Sequence, residues 1–292
     1  MVKTKTVAIV GAGKVGSVLA KAFHSHGYEL VGIASRTFAS ATKLAEAFKV
    51  PAGTKAADIT QDAQIVMIAT PDRYIYSVVQ EIAQDGGFRP GQLVLHTSGA
   101  SSVDTLSPAS TAGAFTGGLH PLQSFAEGEK NLEKMMGSYF ALSGQEEAIE
   151  QGKQIVEKFG GHSFIISDKD KPLYHAAACI ASNYVVALLH WAAHIYGQFG
   201  LSSQQATMAL LPLVQGTLDN IERSGTRDAL TGPISRGDGI TIANHLKALE
   251  QGKELYAALG LCTVDLALEK GTIDKEQSAI LRDILTCGER LL

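Results

Sequence analysis

The stretch Thr6-Val7-Ala8-Ile9-Val10-Gly11-Ala12-Gly13-Lys14-Val15-Gly16 decides the fold. Its first five residues form a short, largely β-branched run, which favours a strand. After the glycine turn, Val15, Val18, Leu19, Ala22 and Phe23 recur at helical spacing. A Gly-x-Gly-x-x-Gly string says little alone. Here it leaves a strand and opens a helix, the context in which such a turn binds a dinucleotide. Gly11 permits the tight turn, Gly13 lets a pyrophosphate approach the backbone, and Gly16 lets the helix pack close to the strand. Ala12, Lys14 and Val15 complete a turn whose N–H groups would face the phosphates. The alternative is a glycine-rich turn that holds no ligand.

Outward from this turn, strands are expected at Glu29–Ala34, Gln64–Ala69, Gln92–His96, Ala114–Leu119, Tyr139–Leu142 and His162–Ile166. Helices are expected at Ala39–Phe48, Tyr74–Gln84 and Glu146–Phe159. Pro71 stops the third strand. Strands apolar in their centres and alternating with helices predict a parallel sheet covered on both faces. After Ser167 the texture changes. Asp168-Lys169-Asp170-Lys171-Pro172 reads as a charged helix start, with the proline where a missing N–H costs nothing. Strand signals then cease, and helices are expected near 173–198, 203–223, 240–258 and 274–289. The predicted fold class is α/β: a Rossmann dinucleotide-binding domain over 1–167, then an all-helical domain over 168–292.

Composition narrows the function classes. A length of 292 residues implies two domains at roughly 150 residues each. Lys and Arg total 25 against 29 Asp and Glu, a net charge of −4, which argues against a nucleic-acid partner. Three cysteines, Cys179, Cys262 and Cys287, form no disulfide framework and point to a reduced, cytoplasmic setting. The first five residues run straight into the first strand, unlike a signal peptide. Leu173 to Phe199 is apolar, but His175, Ser182, Asn183, His190, His194 and Gln198 interrupt it. A long, mostly buried helix is expected there rather than a membrane span.

Cofactor choice should fall at the end of the second strand. An NAD site wants an acid about 20 residues beyond the glycines, bound to the ribose 2′-hydroxyl. Glu29 lies at the wrong end of its strand, and the exit reads Ser35-Arg36-Thr37. Two hydroxyls and a guanidinium suit a 2′-phosphate, so NADP(H) is expected; the alternative is a surface arginine. Two more strand ends should open into the same crevice. Ala69, Thr70, Pro71 and Thr97 would line the nicotinamide side, and Ser98 could bond a substrate. Turn residues alone would give similar strings.

Three further features could carry chemistry. His120, at a strand tip and followed by Pro121, suits proton transfer near neutral pH; a plain His-Pro turn is the alternative. His175, Cys179 and Asn183 recur at four-residue steps on one helix face, a costly polar stripe unless it lines a site. His175 also sits near a helix start, whose positive end disfavours imidazolium, so His120 is the expected proton donor. Arg236, in the loop Thr231–Asp238, could hold a carboxylate or a structural salt bridge, and Asp238 or Thr241 could cap the following helix. His190 and His194 have ligand spacing but no third partner, so no metal is expected.

The strings Gly-Ala-Gly-Lys-Val-Gly (11–16), Leu-His-Pro-Leu-Gln-Ser-Phe (119–125), Tyr-His-Ala-Ala-Ala-Cys-Ile-Ala-Ser-Asn (174–183) and Gly-Pro-Ile-Ser-Arg-Gly-Asp (232–238) together carry a resemblance. The chain resembles the Rossmann-like/DUF2520 family of the 6-phosphogluconate dehydrogenase-like superfamily, along nearly its whole length. The resemblance implies an NADP(H)-dependent oxidoreductase acting on a small 2-oxo acid, with ketopantoate the best-named substrate. An imino-acid reductase of pyrroline-5-carboxylate type and a non-catalytic NADP(H)-binding sensor are the alternatives. Hydroxyacid dehydrogenases carry Lys-x-x-x-Asn on the first helix of the second domain; here Asn183 matches, but Cys179 takes the lysine position. The string around His120 is similar to the Gly-Gly-His-Pro of prephenate dehydrogenases, with Leu119 inserted. The resemblance, with the apolar surplus of the later helices, also leads us to expect a homodimer through the helical domain.

Overall fold

The computed structural model describes residues 4–125 and 133–287. The chain divides into two compact units, Met1–Val186 and Ala187–Leu292. The first unit is built on an eight-stranded sheet in the order β3-β2-β1-β4-β5-β6-β7-β8. Its elements are β1 (Thr6–Val10), α1 (Lys14–Ser25), β2 (Glu29–Ala34), α2 (Phe38–Ala45), β3 (Ala52–Gly53), α3 (Ala57–Thr60), β4 (Ile65–Ile68) and α4 (Ile75–Gln84). There follow β5 (Leu93–His96), α5 (Ser107–Thr111), β6 (Phe115–Pro121), β7 (Tyr139–Gly144), α6 (Glu146–Lys158), β8 (His162–Ile165) and α7 (Lys171–Cys179). The order reverses between β1 and β4, the switch point where doubly wound sheets take ligands.

Both sheet faces are buried, and the strands show it residue by residue. Val7 and Ile9 of β1, with Ile65 and Met67 of β4, face one core beside Phe23 and Phe159. Ala8 and Val10, with Val66 and Ile68, face the other beside Ile75 and Val79. A period-two chain buried on both sides must be apolar at every position, which is why these strands lack alternation. Register then sets the site. Val10 pairs with Ala34 and Ile68, Ile68 with His96, and His96 with Gly118. The next residues, Ser35, Gly11, Ala69 and Thr97, therefore leave the sheet along one edge, while β6 runs on beside them to His120 and Pro121.

The wholly parallel sheet expected from the sequence is corrected. β6 and β7 run antiparallel, with His120 opposite Ala141. A parallel return needs a long crossover, usually a helix, whereas the described part of this connection holds only a short 3₁₀ turn, Glu133–Met135. The two-residue strand β3 was not anticipated either; it follows too few residues to carry a periodicity.

The unit boundary falls at Val186/Ala187, within a long helix, rather than at the expected 167/168. The first turns of that helix are occupied with the sheet, as the site shows below. The helix continues from α7 through a π turn, Ile180–Tyr184, into α8 (Val185–Tyr196). By length and composition Asp168–Phe199 could cross a bilayer, yet within this chain only 6% of its most apolar window is buried. The expected mostly buried helix is thus corrected. Leu173, Ile180, Tyr184 and Val186 are exposed.

The second unit is helical, with α9 (Ser203–Ala229), α10 (Gly239–Ala248), α11 (Lys253–Lys270) and α12 (Lys275–Cys287). Ser202 and Gln205 close a capping box on α9, which runs past the expected end at 223 to a non-helical Gly225. The helix expected over 240–258 is two helices. Leu249 is extended and Gly252 takes φ +77°, where a Cβ would also strike the Trp191 indole at 2.6 Å. Ile242, Leu246, Val264, Leu281 and Leu285 make the core. Asp238 caps α10 as the sequence suggested, accepting from Thr241 N–H at 3.0 Å.

Candidate functional site

A cavity of about 850 Å³ runs along the carboxyl ends of β1, β2, β4, β5 and β6. Its centre is the glycine turn. Gly11 adopts φ +115°, and a Cβ there would lie 2.5 Å from the Ala69 carbonyl oxygen. A Cβ on Gly16 would overlap the Gly11 carbonyl, so this glycine permits close packing of α1 on the strand. Around Gly13, by contrast, a Cβ would meet nothing within 4 Å. This is the open space that a pyrophosphate needs against the first turn of α1. Gly11, Ala12, Gly13, Lys14 and Val15 all line the cavity; Gly16 stands behind it.

At one end the cavity is bordered by Ser35, Arg36, Thr37 and Ser40. Arg36 is exposed, and among the described residues no carboxylate pairs with it. Thr37 turns out to be the N-cap of α2. Its Oγ1 accepts from Ser40 N–H at 3.3 Å and donates to Ser40 Oγ at 2.7 Å. The hydroxyl proton that remains free in that pair belongs to Ser40, a residue the sequence reading missed. The signal was present: a Thr three residues before a Ser at a helix start. Farther along this wall lie Thr54, Ala57, Tyr74 and Val78, a half-apolar slot beyond the 2′-phosphate end.

The other end holds Ala69, Thr70, Pro71, Thr97, Ser98 and Gly99, with His120 and His175 across from them. Thr70 Oγ1 is buried without a hydrogen-bond partner. A lone buried hydroxyl at the cavity wall costs free energy until something bonds it. With the open cradle at Gly13 and the unpaired Arg36, it shows that the residues present fit a dinucleotide carrying a 2′-phosphate.

His120 is the best-fixed group at this end. Its Nδ1 lies 2.6 Å from the Tyr174 hydroxyl. Gly99 packs directly under the ring: a Cβ there would sit 2.8 Å from Cε1 and 3.0 Å from both nitrogens. Burial, then the neighbouring His175 and, to a lesser degree, Lys171 lower the His120 pKa to about 4, against an upward pull from Asp72 that exceeds the Lys171 effect. Burial pushes the Tyr174 hydroxyl up to about 12. At neutral pH both groups are therefore uncharged; in the tautomer in which the phenol O–H donates to Nδ1, Nε2–H is the ring donor left for a ligand. Ser98 Oγ accepts from Ala100 and Ser101 N–H and donates to Ser101 Oγ at 3.0 Å, closing the turn after β5.

Below this layer is His96, wholly buried, its Nδ1 accepting from Ser98 N–H at 3.2 Å and its pKa lowered to about 3 by burial and by Lys171. Lys171 is 2% exposed, pairs with Asp168 at 2.8 Å and donates to the Ser101 carbonyl at 2.6 Å. Neither residue was singled out from the sequence, where Lys171 looked like one of four solvated charges.

His175 shares a face with Cys179, as expected, the sulfur lying 3.8 Å from Nδ1. Asn183 does not join them. It is exposed and does not line the cavity. The four-residue spacing assumed an unbroken α-helix. The π turn at Ile180–Tyr184 changes the rotation per residue and carries Asn183 off that face. Arg236 is exposed on a 3₁₀ turn of the second unit, Ile234–Arg236.

Such a sheet, with its glycine turn at the switch point, defines a Rossmann-type dinucleotide-binding protein with a helical second unit. The Rossmann-like domain model matches residues 2–121, and DUF2520, a domain of unknown function, matches residues 138–263. The chain belongs to the family that joins these two domains. No curated protein matches it significantly. Among solved structures, protein TM1727 from Thermotoga maritima is 27% identical with TM-score 0.67, over 97% of this chain and 100% of that one. A 1-pyrroline-5-carboxylate reductase from Streptococcus pyogenes is 18% identical with TM-score 0.62, over 92% and 99%. A reductive aminase from Aspergillus terreus, solved with NADPH and ethyl levulinate, is 17% identical with TM-score 0.56, over 98% and 94%. These last two likenesses are of fold.

Proposed function

We propose that the protein is an NADP(H)-dependent reductase of a small carbonyl or imine compound. One observation carries the reading. A single cavity joins a glycine cradle and an unpaired arginine at one end to a fixed His120–Tyr174 pair at the other. Gly11, Ala12, Gly13, Lys14 and Val15 would hold the pyrophosphate. Ser35, Arg36 and Ser40 would hold the 2′-phosphate, and Thr70, Pro71 and Thr97 would border the nicotinamide. A bound reduced nicotinamide supplies hydride. The chain's own part is to bind the substrate and stabilise charge on its reacting heteroatom. His120 Nε2–H donates to a carbonyl oxygen there, and Ser98 and His175 border the same space.

Within this reading the substrate is a small 2-oxo acid, ketopantoate being the named candidate. The fold shared with a pyrroline-5-carboxylate reductase and a reductive aminase favours a second reading, reduction of C=N. A panel of 2-oxo acids, ketopantoate included, and cyclic imines, assayed by NADPH oxidation, separates the two. Tight NADPH binding with no oxidation by any member would instead favour a sensor. The exposed apolar side chains of α7, α8 and α9, such as Leu173, Val186, Met208 and Leu213, support a homodimer paired through the helical region; the cytoplasmic setting in the same proposal rests on the three cysteines.

A further inference from the structure

Lys171 stands out because the proposed chemistry does not use it. A lysine that is 2% exposed is rare and is expensive unless fully paired. Its partners tie three segments together. Nζ holds Asp168 at 2.8 Å and the Ser101 carbonyl at 2.6 Å. Asp168 Oδ2 in turn accepts from Ser102 Oγ at 2.6 Å and from Val103 N–H at 2.8 Å. Burial alone would raise the Asp168 pKa, but Lys171, Ser102 and Val103 hold it below the usual carboxylate range. Ser101 closes the turn that begins at Ser98 and passes Gly99 beneath the His120 ring. One helical turn beyond Lys171 come Tyr174, on His120 Nδ1, and His175. The ion pair thus nails the start of α7 to the loop after β5, and His120 is caught between the two.

We infer that Lys171, braced by Asp168, is a positioning residue that sets both the placement and the charge state of His120. It acts in two ways. As a strap, it holds Gly99 under the ring and Tyr174 at its edge. As a buried cation, it opposes protonation of the ring. The groups facing His120 are His175 and Tyr174 from α7, Lys171 at its start, and Asp72 from the loop after β4; only Asp72 favours imidazolium. Removing the lysine charge leaves Asp72 less opposed, so the ring should protonate more readily.

The inference deepens the reading of His120 as the group that meets the substrate, yet its first test needs no substrate. The ring signals of His120 are followed by NMR against pH in the wild type and in Lys171→Met. Methionine keeps the volume and drops the charge, and Asp168 retains its bonds to Ser102 and Val103. The His120 titration should move up from its depressed midpoint, because a buried cation that disfavours imidazolium is gone. If Lys171→Met fails to fold, Ser102→Ala weakens the strap and keeps the cation. There the midpoint should stay put while the ring nitrogens lose their single-tautomer pattern. With an active substrate, both variants should lower kcat at least tenfold and change NADPH affinity less than twofold. A His120 midpoint unmoved in a folded Lys171→Met, or in its absence an unaltered tautomer in Ser102→Ala, overturns the inference. An inactive wild type with the expected titration shift would instead defeat only the proposed reductase activity.

Discussion

Gly99 offers the most direct test of how His120 is held. Its φ lies outside the left-handed region, so the backbone itself tolerates alanine. The side chain does not fit. A Cβ would lie 2.8 Å from His120 Cε1 and 3.0 Å from Nδ1 and Nε2. Carbon atoms need about 3.5 Å or more, so the ring must retreat by roughly 0.7 Å. Its Nδ1 contact with Tyr174, now 2.6 Å, would then approach the limit of a hydrogen bond. Tyr174 has little room to follow, because Phe164 packs edge-on at 5.9 Å between ring centroids. Overpacking of this kind costs ~1–3 kcal/mol of stability. A misplacement of about 1 Å at a reacting group can cost ~10²-fold in rate. Gly99→Ala should therefore bind NADPH as the wild type does, fold with a modestly lower melting temperature, and lose about two orders of magnitude in kcat. Binding is read by fluorescence and turnover by NADPH oxidation. Wild-type kcat in a folded Gly99→Ala would refute the claim that this contact fixes the ring.

Three other expectations follow from the same geometry. Arg36→Ala should weaken NADPH by ~1.5–3 kcal/mol, roughly 10- to 150-fold, and leave NADH almost unchanged; equal losses for both would remove the arginine from the phosphate site. His96 and His120 protonate near pH 3 and 4 in the folded chain but near 6.5 when unfolded, so their stabilising contribution is complete above pH 6.5 and is lost as pH falls toward 3. At about 1.4 kcal/mol per pH unit the two depressions bound the loss at about 8 kcal/mol, and a melting temperature that stays level from pH 7 to 4 would contradict it. Val186→Asp, on the exposed apolar side of the long helix, should turn a dimer into a monomer in light scattering; a wild-type monomer at micromolar concentration would end the dimer proposal.

Much was decided by local sequence. Thr6–Gly16 specifies strand, turn and helix through residue types whose preferences act within a few bonds, and the apolar strand centres announce burial on both faces. The residues at Ser35–Thr37, following from the same pattern, mark the end of the cavity. What tertiary structure decided is everything that depends on a partner distant in the chain. His120 meets Tyr174 across 54 residues and Gly99 from another strand end. Asp168 and Lys171 look alike with Lys169 and Asp170 in a charged run, yet Lys171 alone is driven inside, because Ser101 and Asp168 wait there to satisfy it. Asn183 leaves its expected face through one π turn, a backbone choice that four-residue spacing cannot foresee. A side chain's exposure, charge and bonding partners are properties of its surroundings, and those surroundings exist only after the sheet and helices have met.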